Sequence, residues 1–106
     1  MSVILTYRVQ ADPQKLESVA GENPDRMRGI ADRAEEHGLI AHRFYGSDDG
    51  EVMVIDEWPD PESFQRFFEQ ERGEIESLMQ QVGVTGGPEI TFWRKLETHD
   101  DVGWES

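Results

Sequence analysis

Residues 39 to 93 hold the pattern that most narrows the possible folds. Two apolar, strand-like runs are separated by Gly46-Ser47-Asp48-Asp49-Gly50, and Trp58-Pro59-Asp60-Pro61 then leads into an aromatic-rich helical stretch and a closing strand. One strand and one helical segment precede them, so the order is β-α-β-β-α-β. That order predicts an α+β domain built on a four-stranded antiparallel sheet with both helices on one face.

Local chemistry sets the expected boundaries. Val3 to Val9 alternate, with Val3, Leu5, Tyr7 and Val9 on one side and Ile4, Thr6 and Arg8 on the other. Asp12 is placed to cap a helix beginning at Pro13. Gly21 to Pro24 interrupts that helix, Asn23 before Pro24 marks a second start, and Gly38 suits a left-handed end, so the first helix is expected to be bent or split. Leu39 to Tyr45 and Val52 to Trp58 read as a hairpin. A loop at residues 47 to 49 would pair Gly46 with Gly50 and put Ile40, His42, Phe44, Val52, Val54, Asp56 and Trp58 on one face.

Asp60 and Pro61 open the second helix, in which Phe64, Phe67, Phe68, Ile75, Leu78 and Met79 keep helical spacing. Glu71 breaks that stripe and Gly73 follows it. The pair predicts a helix weakened or broken near 72 and 73, with Glu71 at a solvated end or facing a cavity. Gly83 to Pro88 reads as a connector and Glu89 to Leu96 as the last strand. The domain is therefore placed at 1–96, followed by an acidic tail at 97–106 whose Trp104 is expected to dock on its own or a partner subunit.

Composition excludes several function classes. A formal charge of −13 over 106 residues leaves no basic stripe to release counterions, so nucleic acid is not an expected partner. The chain has no cysteine, which removes thiolate nucleophiles and thiolate metal sites. His37, His42 and His99 are scattered, so no metal is expected; no G-x-S-x-G elbow prepares a serine nucleophile; and Gly86-Gly87-Pro88 opens no helix that could cradle a phosphate, so no cofactor is expected. The apolar runs are too short for a membrane span and no signal peptide precedes the first strand, giving a cytoplasmic expectation. Because both faces of the sheet carry apolar residues and two helices cover only one, a homodimer is expected.

The chain resembles the antibiotic-biosynthesis-monooxygenase-like group of the dimeric α/β-barrel superfamily over about residues 3 to 96. The resemblance lies in the element order, the strand end Asp56-Glu57-Trp58, the helix start Pro59-Asp60-Pro61-Glu62-Ser63-Phe64 and the last strand Ile90-Thr91-Phe92-Trp93. It implies a ferredoxin-like subunit whose sheet packs on its twin's to form a barrel, with a pocket between sheet and helices in each subunit. It also implies a range of chemistry: cofactor-free oxygenation of phenols, haem breakdown, isomerisation, cyclisation, and members without known activity. Haem-degrading relatives place an asparagine, a tryptophan and a histidine where this chain has about Tyr7, Phe67 and Ser77. A serine cannot replace the imidazole that holds haem iron, so haem breakdown is not expected.

His42 and Asp56 are the candidate catalytic pair, since an imidazole exchanges a proton near neutral pH and an aspartate on its face can orient it. The alternatives are a structural imidazole and an Asp56 salt-bridged to Arg8, Arg43 or Arg94. Trp58 and Trp93 offer flat surface for a planar small aromatic ligand, Tyr7 could hydrogen-bond a ligand oxygen, and Phe44, Phe68 and Glu71 complete the candidate substrate contacts. Core packing is the competing account of each aromatic. The leading functional expectation is a cofactor-independent monooxygenase acting on an aromatic or polyketide-like phenol. An isomerase or cyclase using proton transfer in the same pocket, and a non-catalytic, stress-associated ligand-binding dimer, are the alternatives.

Overall fold

The computed structural model describes residues 1–104. Its elements are β1 (Val3–Gln10), α1 (Pro13–Glu22), α2 (Pro24–Glu36), β2 (Ala41–Gly46), β3 (Glu51–Trp58), α3 (Pro61–Val82) and β4 (Thr85–Trp93). The strands form one sheet in the order β2-β3-β1-β4, with every neighbouring pair antiparallel. This is the α+β, ferredoxin-like arrangement expected from the order of elements.

The first helix is split as its sequence predicts. Asn23 ends α1 and begins α2, and its side-chain amide donates to the Val19 carbonyl at 2.8 Å, satisfying one of the acceptors a helix end leaves open. Pro24 cannot donate to a continuing helix, so the chain restarts there. The hairpin departs from expectation by one step. Gly46 pairs with Val52 rather than Gly50, and Ser47 N–H donates to the Glu51 carbonyl at 2.8 Å, so the loop is residues 48 to 50. Gly50, at φ +83°, supplies the left-handed residue that closes such a loop. The loop stays odd in length, so His42, Phe44, Val54 and Asp56 keep one face.

Two other boundaries are corrected. α3 runs unbroken through Gly73, because on either side of that glycine it is tied to α2: Arg33 Nε lies 2.9 Å from Glu71 Oε2, and Arg26 Nε lies 2.8 Å from Glu74 Oε1. These ties offset the roughly 1 kcal/mol that an interior glycine costs a helix. Residues 83 to 88 are not all connector, since β4 begins at Thr85, opposite Gln10. A register shift between Arg8 and Gln10 lets β4 carry its extra residues through the Gly86-Gly87-Pro88 stretch without a matching partner at each. β4 ends at Trp93, short of Leu96.

The helices cover one face of the sheet and build two apolar clusters on it. One gathers Val9, Leu16, Val19, Val52, Leu78 and Val82; the other gathers Leu5, Ala34, Trp58, Phe64 and Phe67. Tyr7 and Ile30 pack against both. On the opposite face Tyr45 and Trp93 are exposed, beside half-buried Ile4, Met53 and Ile55. Trp104 is 81% exposed, so it does not dock on its own subunit. The last two residues of the acidic tail lie outside the described residues. No helix among the described residues is long and apolar enough to cross a membrane.

Candidate active site

The seam between the two apolar clusters is incompletely filled. A cavity of about 90 Å³ remains there, floored by Leu5, Val54 and Phe44 of the sheet and roofed by Ile30 of α2 and Phe68 and Met79 of α3. Its lining is hydrocarbon except for the thioethers of Met27 and Met79 and three polar groups: Tyr7, His42 and Asp56.

His42 and Asp56 face each other directly across the β2–β3 ladder. Opposed residues on one sheet face hold their Cβ atoms about 4.5–5.5 Å apart, which suits a hydrogen bond between these two side chains. His42 Nδ1 lies 2.7 Å from Asp56 Oδ1. Asp56 retains 8% of its side-chain exposure and His42 retains 33%, so the carboxylate is inside and the imidazole sits at the mouth of the cavity on an edge strand. In the neutral imidazole, a carboxylate at that distance favours the tautomer with the ring proton on Nδ1, which leaves the lone pair on Nε2. The expected alternatives for Asp56 do not occur: its partners are His42 and Trp58, not Arg8, Arg43 or Arg94.

Trp58 is corrected as a cavity wall. It is fully buried, packs on Phe64 and Phe67 at ring separations of 5.7 and 5.6 Å, and lines none of the cavity. Its indole Nε1–H instead donates to Asp56 Oδ2 at 3.1 Å. The sequence signal for this contact is the Asp56-x-Trp58 spacing, since residues two apart on a strand share a face.

Trp93 is also corrected. It lies on the other face of the sheet, 53% exposed, with Nε1–H donating to Thr6 Oγ1 at 2.9 Å. Glu71 is neither solvated nor in the cavity wall, because Arg33 reaches it and holds it in the α2–α3 contact. Tyr7, Phe44 and Phe68 do line the cavity, with the Tyr7 and Phe68 rings 6.1 Å apart. Burial, and then the charge of Glu76, pushes the Tyr7 phenol above its ordinary pKa. It is therefore a neutral hydrogen-bond donor throughout the physiological range.

No family model and no curated protein sequence matches the chain. Solved structures do. A monooxygenase of Streptomyces coelicolor in complex with nanaomycin D superposes with a TM-score of 0.70 at 17% identity, covering 92% of this chain and 89% of that one. SnoaB, a cofactor-independent oxygenase from Streptomyces nogalater, has a TM-score of 0.61 at 18% identity, covering 94% and 98%. A dimeric ferredoxin-like protein from an uncultured marine organism has a TM-score of 0.63 at 14% identity, covering 91% and 89%. At these identities the likeness is one of fold, and the chain has the fold of the antibiotic-biosynthesis-monooxygenase-like proteins.

Proposed function

We propose that the chain is a cofactor-independent monooxygenase acting on a phenol. The observation that carries this reading is the buried Asp56 carboxylate 2.7 Å from His42 Nδ1 at the mouth of a largely apolar cavity. The fold shared with two oxygenases, one of them cofactor-independent, adds support at the level of analogy.

In this reading the substrate ring enters the apolar cavity and its hydroxyl meets His42 Nε2. The imidazole takes the hydroxyl proton, and the O–H electron pair stays on the substrate as a phenolate. The electron-rich ring then reduces dioxygen directly. For a simple phenol the balance is phenol plus O2 to quinone plus water: one ring C–H becomes C=O, and the second oxygen atom leaves as water. Asp56 balances the charge on the imidazolium, and the hydrocarbon walls keep bulk water from the reacting carbon. The cavity is smaller than the roughly 150 Å³ apolar cavity known to admit benzene. Even a single ring is therefore held only in part, and an aromatic substrate extends out past His42, which is the exposed side of the site.

The test is turnover of an anthrone under isotopically labelled dioxygen by protein stripped of flavin and metal. Label in the new quinone carbonyl supports the reading. Proton exchange or ring closure without oxygen uptake transfers the site to the isomerase or cyclase alternative.

The same reading includes a homodimer packed sheet to sheet. Ile4, Met53, Ile55, Tyr45 and Trp93 lie on the face the helices leave open, and each large apolar side chain left in water forgoes about 1.5–3 kcal/mol. A dimeric mass by light scattering at micromolar concentration, shifted to monomer by Trp93→Asp, is the expected outcome. A monomeric wild type would reject this part of the proposal.

A further inference from the structure

Resting on the reading of His42 as the base, we infer that Trp58 is a positioning residue that fixes the protonation geometry of His42 through Asp56. Both Asp56 oxygens are engaged: Oδ1 lies 2.7 Å from His42 Nδ1, and Oδ2 accepts from Trp58 Nε1–H at 3.1 Å. A carboxylate can turn about its own Cβ–Cγ bond. Held at one oxygen only, Asp56 could swing its other oxygen, or the edge of the group, toward the imidazole.

The indole removes that freedom, because Trp58 itself cannot move. It is fully buried, with Phe64 packed edge-on and Phe67 tilted against it. Asp56 is nearly as inaccessible, so water is poorly placed to take over the indole's hydrogen bond. The donor thus serves two ends: it satisfies a buried carboxylate oxygen that would otherwise be costly, and it aims the other oxygen at Nδ1. With the ring proton held on Nδ1, the lone pair of this cavity-lining imidazole stays on Nε2. In the proton transfer the substrate O–H bond breaks and an N–H bond forms at Nε2. The proton stays on the ring, and the aimed carboxylate stabilises the positive charge.

A purely structural Trp58 would matter for packing alone, and the two roles separate by replacing the N–H without changing the shape. Benzothienylalanine at position 58, in a chain with Trp93→Phe and Trp104→Phe, puts sulfur where the N–H was and keeps the fused ring. Trp58→Phe is the genetic counterpart. The first readout is nitrogen NMR of His42 in the ligand-free protein, which needs no turnover. The parent chain should show a protonated Nδ1 with a low-field, slowly exchanging proton, and the isostere should lose that signal and show mixed tautomers. The second readout is kinetic: kcat should fall about 10- to 100-fold, the scale for partners that orient a reacting group, with KM unchanged. Asp56→Asn, whose amide can donate to Nδ1 and invert the tautomer, should lose more.

An unchanged Nδ1 signal in the folded isostere overturns the inference, as does a change confined to thermal stability. Absence of oxygen uptake by the parent chain would instead reject the oxygenase reading, while the NMR comparison would still decide the role of Trp58.

Discussion

Arg33 on α2 reaches across to Glu71 on α3 at 2.9 Å, and the carboxylate it meets keeps only 9% of its side-chain exposure while the guanidinium keeps 40%. The pair is unequal, and the inequality predicts which substitution hurts. Arg33→Ala strands a nearly buried carboxylate without a cation, at a cost of about 1–3 kcal/mol. Glu71→Leu removes the charge along with the need for a partner and should cost less, since apolar replacements of buried ionic groups are often neutral. Urea unfolding of the two variants checks the order; an Arg33→Ala variant no less stable than Glu71→Leu contradicts it.

Gly73 lies within unbroken α3, and a Cβ built there meets nothing within 4 Å. Gly73→Ala should therefore stabilise the domain by about 0.4–1 kcal/mol, through a smaller entropy loss on folding and a better helix former. A destabilised variant in chemical denaturation would mean that the helix does not pass straight through this position.

The cap of α3 gives a pH dependence with a defined sign. Ser63 N–H donates to Asp60 Oδ1 at 2.8 Å, and this bond, followed by that of the Ser63 hydroxyl, holds the Asp60 carboxyl below the usual range. A group whose folded pKa is lowered contributes stability above its unfolded pKa, about 3.9 for aspartate, and loses it as pH falls through the folded value. The Tm difference between wild type and Asp60→Ala should thus be constant from pH 7 to about 5 and shrink below about 4. Circular dichroism melts across that range decide the point; a gap that widens in acid reverses the assignment.

Most of the fold was legible because its signals are local. Asp12 and Asp60 mark helix starts, Asn23-Pro24 marks the split, and strand alternation places Leu5 and Val9 on the covered face. What is not legible locally is what a distant partner decides. Nothing near Gly73 in sequence announces that Arg33 and Arg26 will hold α3 to α2 across it, and so the local pattern points Glu71 to a solvated end or a cavity rather than to a buried ion pair. The start of β4 at Thr85 likewise depends on pairing with Gln10, far away in the chain. In the site, shared strand parity brought His42 and Asp56 to one face despite the shifted hairpin register, because a shift that keeps the loop odd preserves parity. Parity also places Trp58 there, but a face does not specify which atom a buried indole addresses, so the sequence offers substrate contact or core packing for Trp58 and not its bond to Asp56.

Tyr7 is the remaining polar group of the cavity wall, and burial keeps its phenol protonated beyond the ordinary tyrosine range. As a neutral donor to a substrate oxygen it supplies one hydrogen bond, worth about 0.5–1.5 kcal/mol. Tyr7→Phe should raise KM about 2- to 13-fold and leave kcat near wild type, the signature of an interaction made equally in the ground and transition states. A loss confined to kcat would move Tyr7 from binding into the chemistry.

The central claim, that His42 draws a proton from a phenol which then reacts with dioxygen unaided, is tested most directly with an oxygen electrode. Wild type and His42→Ala, both free of flavin and metal, are given an electron-rich anthrone at saturating concentration. The account predicts oxygen uptake matched to quinone formed by the wild type, and a kcat about 10²- to 10⁴-fold lower in His42→Ala, the usual range for loss of a general base. Equal uptake by the two proteins would contradict it.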